Sequence, residues 1–221
     1  MKLQKFGGYA AIATLCVYFV NGVYEGRILP SGNWDDPAEI ITAASTAPGG
    51  FYALNLLGMV CGILLLVTFV ALHERMHADA PYLSSMILIA ASASAAIAIT
   101  GAIINITSIG TIVPARDLSA LRACLALKKG LQFTGGHTCA WALLFVGCAI
   151  LKTRSFSRAL GWLTLVTSIL WIPLFFLLQI EIRFIIPIIA LMSTATIIWI
   201  GIALLRQKQL PPPAIETAAA N

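Results

Sequence analysis

Charge is scarce in this sequence. Nine acidic and fourteen basic side chains make up only 10% of its 221 residues, against 59% hydrophobic ones. A soluble domain carries roughly a quarter charged residues, so a water-facing globule is excluded for most of the chain. With a mean hydropathy of +0.91, the solvent that fits is a lipid bilayer. Cysteine is sparse and unpatterned. Cys16, Cys61, Cys124, Cys139 and Cys148 form no CxxC, so no disulfide framework is implied. Buried in apolar helices, such residues act as small hydrophobes. Period-2 alternation is missing, which excludes barrel strands. The sequence also has no Gly-rich phosphate loop, no Ser-His-Asp set on one leaflet, no facing histidine pair for haem and no lysine inside an apolar run. No cofactor is expected. The excess of five positive charges is not a nucleic-acid signal, because the basic residues sit at the ends of the apolar runs.

What is present is apolar length. A spanning helix needs about 20 apolar residues, and six stretches qualify: 6–24, 51–72, 83–112, 130–151, 159–180 and 184–205. Only helices and closed barrels satisfy their backbone groups in lipid. The expected fold is therefore all-α, a polytopic bundle of six transmembrane helices over residues 1–206. The tail, "QKQLPPPAIETAAAN" at 207–221, is polar and Pro-rich and is expected to be a disordered cytoplasmic extension. The first run follows Lys2 and Lys5 but lacks a small-x-small cleavage site in "VNGVYEGR", so it reads as a retained helix. With the N-terminus inside, eight Lys and Arg fall on the cytoplasmic side and six outside. The basic "KTRSFSR" loop favours this N-in, C-in orientation.

The first outer loop, 25–50, is the longest and most acidic. Within it Asp36 is placed to cap a short helix, with Pro37 at its first position and Glu39 completing a capping box. Trp34 and the isoleucines suggest a helix lying on the outer membrane surface, ended by "APGG". The second span carries Gly58 and Gly62, a GxxxG that invites a close neighbour. The third is rich in Ala, Ser and Gly ("ASASAAIAITGA"). Between the third and fourth spans, "PARDLSALRACLALKKG" sets Leu118, Leu121 and Leu125 against Arg116, Arg122 and Lys129, the pattern of an interfacial amphipathic segment.

One motif advertises chemistry. His73-Glu74-Arg75-Met76-His77 is a literal H-E-x-x-H, which on a helix puts two imidazoles on one face beside a carboxylate. A zinc site of that kind needs a third protein ligand and an open position for water. The only other histidine, His137, belongs to the outer half of the fourth span, whereas His73 lies at the cytoplasmic end of the second. The difference in depth is roughly 15–20 Å, too far for one metal. Asp79 follows His77 by two residues, but Pro81 disfavours helix just there. No metal is therefore expected. A membrane-embedded metal-dependent hydrolase using His73, Glu74 and His77 is the alternative.

A second pattern is less conspicuous. Asn21, Asn55, Asn105, Gln132, His137 and Gln179 all fall in the outer half of the membrane. Glu25, Arg27, Glu181 and Arg183 stand just beyond that leaflet. Polar side chains in hydrocarbon are costly and normally face the bundle interior. On the fourth span Thr134, His137, Thr138 and Trp141 share one face. The expectation is an outward-facing polar pocket holding a small or lipid-like ligand. Its candidate residues are Asn55, Asn105, His137 and Trp141, with Glu181 and Arg183 at the mouth.

Taken whole, the chain resembles a family of uncharacterised six-helix bacterial membrane proteins, defined only as a domain of unknown function. The likeness is carried by the opening run "FGGYAAIATLCVYFV", the long first outer loop, the Gly-bearing second helix and "GCAILKTRSFSRALGWLTLVTSIL". The resemblance implies six helices in a bacterial inner membrane and transfers no catalytic residue. The expected function is non-enzymatic, either ligand binding or service as an accessory subunit of a membrane complex. Expected partners are the lipid bilayer, the ligand, and a membrane-protein partner or second copy. A transporter is disfavoured by short length, by the lack of a repeat and by the absence of a carboxylate within the spans.

Overall fold

The computed structural model describes residues 2–29, 36–177 and 185–206. Among the described residues every regular element is a helix. These are α1 (Lys2–Ile28), α2 (Pro37–Thr46), α3 (Pro48–Met76), α4 (Pro81–Ala115), α5 (Leu118–Thr153), α6 (Arg158–Leu177) and α7 (Ile185–Arg206). Five of them, α1, α3, α4, α5 and α7, are long and apolar enough to cross a bilayer. The chain is thus an all-α, multi-pass membrane helix bundle. The remaining expected span, 159–180, corresponds to α6, whose 20 residues are about the length a crossing needs. The tail after Arg206 lies outside the described residues.

Local chemistry sets the helix ends. Asp36 caps α2 as its sequence predicts, its Oδ1 accepting from the Ala38 N–H at 2.8 Å, with Pro37 at the first position. The "APGG" segment does more than end that helix. Ala47 closes α2, and Pro48 opens α3, where a missing N–H costs nothing. Pro81 likewise opens α4, with Ala80 outside the helix.

The segment expected to lie along the interface is the first part of α5. Arg116 adopts a left-handed turn (φ 53°, ψ 31°), and Asp117 caps α5 by accepting from the Ala120 N–H at 2.9 Å. From Leu118 the helix then runs unbroken for 36 residues. At ~1.5 Å per residue, α4 and α5 each measure more than 50 Å, against a hydrocarbon core of ~30 Å. Each is therefore longer than an upright crossing requires. Leu121 and Leu125 face not lipid but α2. With Ile40, Ile41, Ala44, Phe51, Ile109 and Val113 they build a small second core. The α2 isoleucines are consequently buried inside protein rather than spread on the membrane surface.

The long helices pack as a closed ring, in the order α1, α3, α4, α5, α6, α7 and back to α1. Small residues decide how tightly each contact closes. Away from α2 the ring is tight. A Cβ on Gly7 would collide with Ala71, and one on Gly8 would meet the Gly201 carbonyl at 2.9 Å. One on Gly147 would meet the Leu165 amide at 2.9 Å. Leu72, Met76, Ile87, Ile150, Leu160 and Leu204 fill this end completely. At the α2 end the same residue type marks open space. Gly58, expected to receive a neighbouring helix, meets nothing within 4 Å, and Gly62 touches the Ala98 methyl at an ordinary 3.6 Å. The helices converge at one end and splay at the other, and the splay leaves a chamber.

Candidate functional site

Three neighbouring cavities make up the chamber, and Leu65 and Cys139 line all of them. The lobe nearest α2 is about 380 Å³ and holds most of the chamber's polar side chains. Asn21 and Glu25 reach it from α1, Asn55 from α3, Asn105 from α4, and Lys128 and Gln132 from α5. A lobe of about 290 Å³ continues along α3 and α4 past Tyr18, Cys61 and Phe69. The third, about 320 Å³, is an apolar arm between α1, α3, α5, α6 and α7. Leu15, Phe69, Leu143 and Ile197 form its walls, and Trp171 and Ser193 are the polar pair within it. Cavities of 300–1,000 Å³ with an apolar lining and a few convergent polar groups are the usual form of small-ligand sites.

Geometry ties the polar lobe together. Asn55 is buried, and its Nδ2 donates to the Phe51 carbonyl at 2.7 Å, one turn back. Its Oδ1 accepts from Asn105 Nδ2 at 2.8 Å, which bridges α3 to α4. On α1, Asn21 Nδ2 donates to Glu25 Oε1 at 3.3 Å. The other amide atom, Asn21 Oδ1, is buried with no hydrogen-bond partner among the described residues. Glu25 and Lys128 attract each other electrostatically between α1 and α5. The rim thus carries one negative charge, one positive charge and four neutral amides.

The sequence-predicted residues divide accordingly. Asn55 and Asn105 are brought into direct contact. His137 and Trp141 pair with each other, Trp141 Nε1 donating to His137 Nε2 at 3.0 Å with the rings edge-on at 6.2 Å. They do so on another face of α5. Trp141 is 38% exposed, and neither residue lines a lobe of the chamber. Glu181 and Arg183, expected at the mouth, lie outside the described residues.

The chamber face of α5 is Lys128, Gln132, Gly135, Gly136 and Cys139. Lys128 and Cys139 are the contributors that sequence reasoning missed. Their signal is the spacing 128, 132, 135, 139, one helical face. It becomes visible once residues 118–153 are read as a single helix.

The HERMH segment forms the last turn of α3 and its cap. The His73 and His77 rings are 4.9 Å apart and tilted by 52°. His77 Nδ1 lies 3.1 Å from Ser84 Oγ on α4, and Glu74 is exposed. Among the described residues no three His, Cys, Asp or Glu side chains gather closely enough to hold a metal ion. Compared with protein-family models, curated proteins and solved structures, the chain matches none.

Proposed function

We propose that this chain is a binding protein of the bacterial inner membrane, with six spans and both termini cytoplasmic. In this reading the chamber opens outward and holds a small or lipid-like molecule without transforming it. The observation that carries the reading is the shape and lining of the chamber. A lobe with charged and amide side chains at the splayed end adjoins an apolar arm within the ring. The hydrolase reading would need a third ligand for His73 and His77, and the chamber is the better-supported site.

Thermal unfolding in detergent tests the proposal. A ligand at a hundredfold its dissociation constant stabilises the folded state by about 2.7 kcal/mol. Adding a bacterial membrane lipid extract should therefore raise the unfolding midpoint of the wild type. Gly58→Leu places a side chain in the open polar lobe, and its midpoint should not respond to the extract. An unresponsive wild type, or an equal response from Gly58→Leu, would remove the chamber as a binding site.

A further inference from the structure

The three lobes also restrict what the occupant can be, granted the reading of the chamber as a binding site. We infer that the ligand is a single-chain amphiphile with an uncharged, hydroxyl-bearing headgroup, its head among the rim amides and its chain in the apolar arm.

The head is constrained by charge and by donors. Glu25 and Lys128 already attract each other, so the rim offers no net charge to an ion. A singly charged head would gain one of these two side chains only while lying near the other, like-charged one. Asn21, Asn55, Asn105 and Gln132 supply amide groups that both donate and accept. Asn21 Oδ1 is a buried acceptor with no donor among the described residues. A hydroxyl donates to such an atom and accepts from a neighbouring amide.

The chain is constrained by space. The arm is about 320 Å³ and is walled by five helices of the ring. That volume lies at the small end of the range for ligand pockets, which suits one chain and not two. It begins at Leu65 and Cys139, where the polar lobe ends. The inferred occupant passes between these shared side chains, with its head in one cavity and its chain in the other. Moving a chain from lipid into the arm gains little, because lipid is as apolar as the arm. Selection then rests on the head and on fit rather than on hydrophobicity.

Native mass spectrometry of the full chain in detergent tests this, with three probes of matched chain length. Monoacylglycerol has the neutral head on one chain, diacylglycerol adds a second chain, and lysophosphatidylglycerol adds a negative charge. Monoacylglycerol should be retained one to one. The other two should be retained at least roughly tenfold less, the effect of losing one or two hydrogen bonds or forcing a misfit. Ala190→Phe and, independently, Thr194→Leu fill the arm and should abolish retention while the protein still elutes as a folded species. Preferential retention of diacylglycerol or of the anionic lipid would overturn the inference, as would retention unchanged by both arm variants. Retention of no probe, together with a wild type unresponsive to lipid extract, would sink the binding reading itself. Retention of no probe by a wild type that does respond to extract would overturn the ligand class alone.

Discussion

The asparagine pair shows what a polar side chain does at membrane depth. Asn55 satisfies one donor on its own helix and lends its acceptor to Asn105. Removing Asn105 leaves Asn55 Oδ1 without its donor in a low-dielectric setting, whereas removing both leaves nothing unsatisfied. Interhelical hydrogen bonds in membranes contribute ~0.6–2 kcal/mol. A double-mutant cycle with Asn55→Leu and Asn105→Leu, read by equilibrium unfolding in mixed micelles, should return a coupling in that range. Additive effects of the two substitutions would mean that the bond contributes nothing to stability. The sequence pointed both asparagines into the bundle, because an amide in an apolar run has few places to go, but their bond to each other emerges only from the structure. The face of α5 was not. His137 and Trp141 at one face, and Lys128, Gln132 and Cys139 at another, are equally regular helical spacings. The rotation of a helix in a ring is fixed by its neighbours. Here Gly135 lies against Ile97, and Ser94 Oγ donates to the Gly135 carbonyl at 2.8 Å. Those contacts turn Lys128 inward and leave Trp141 outside.

At the scale of elements, hydropathy located the long helices but misjudged their length. Arg122, Lys128 and Lys129 lower the apolar average of 118–130, yet nothing there breaks a helix, and Asp117 starts one. The charges do not mark where the helix ends. Glycines carry the opposite ambiguity, since a sequence cannot say whether a glycine admits a neighbour or borders a void. Gly147 and Gly58 separate the two cases. A methyl at Gly147 would lie 2.9 Å from the Leu165 amide and 3.1 Å from the Gly161 carbonyl, and backbone cannot yield as a side-chain tip can. Gly147→Ala should therefore force α6 from α5 and cost about 1–3 kcal/mol. Gly58→Ala meets open space and gains helix propensity, so its effect should be neutral or stabilising by up to ~1 kcal/mol. Thermal unfolding of the two variants decides it. A Gly58→Ala protein less stable than Gly147→Ala would contradict a ring that is tight at one end and splayed at the other.

For the whole molecule, that taper gives direction to everything else. The tight end carries His73, His77 and the α6 side of the basic loop, and the splayed end carries α2, Glu25 and Lys128. A ligand chamber is useful to the outer leaflet only if the splayed end faces outward. The distribution of Lys and Arg argues for that orientation, but by only eight to six, because the α4–α5 hairpin carries several basic residues of its own. Long-range placement therefore needs a direct measurement. In a variant with the five native cysteines replaced, single cysteines at two exposed positions report the two ends. Ser119→Cys lies at the start of α5, on the α2 side. Asp79→Cys lies in the turn between α3 and α4. A membrane-impermeant maleimide applied to cells with an open outer membrane and an intact inner one should label Ser119→Cys at once. It should label Asp79→Cys only after the inner membrane is permeabilised. The reverse order would turn the chamber towards the cytoplasm and bring the histidine turn to the outside.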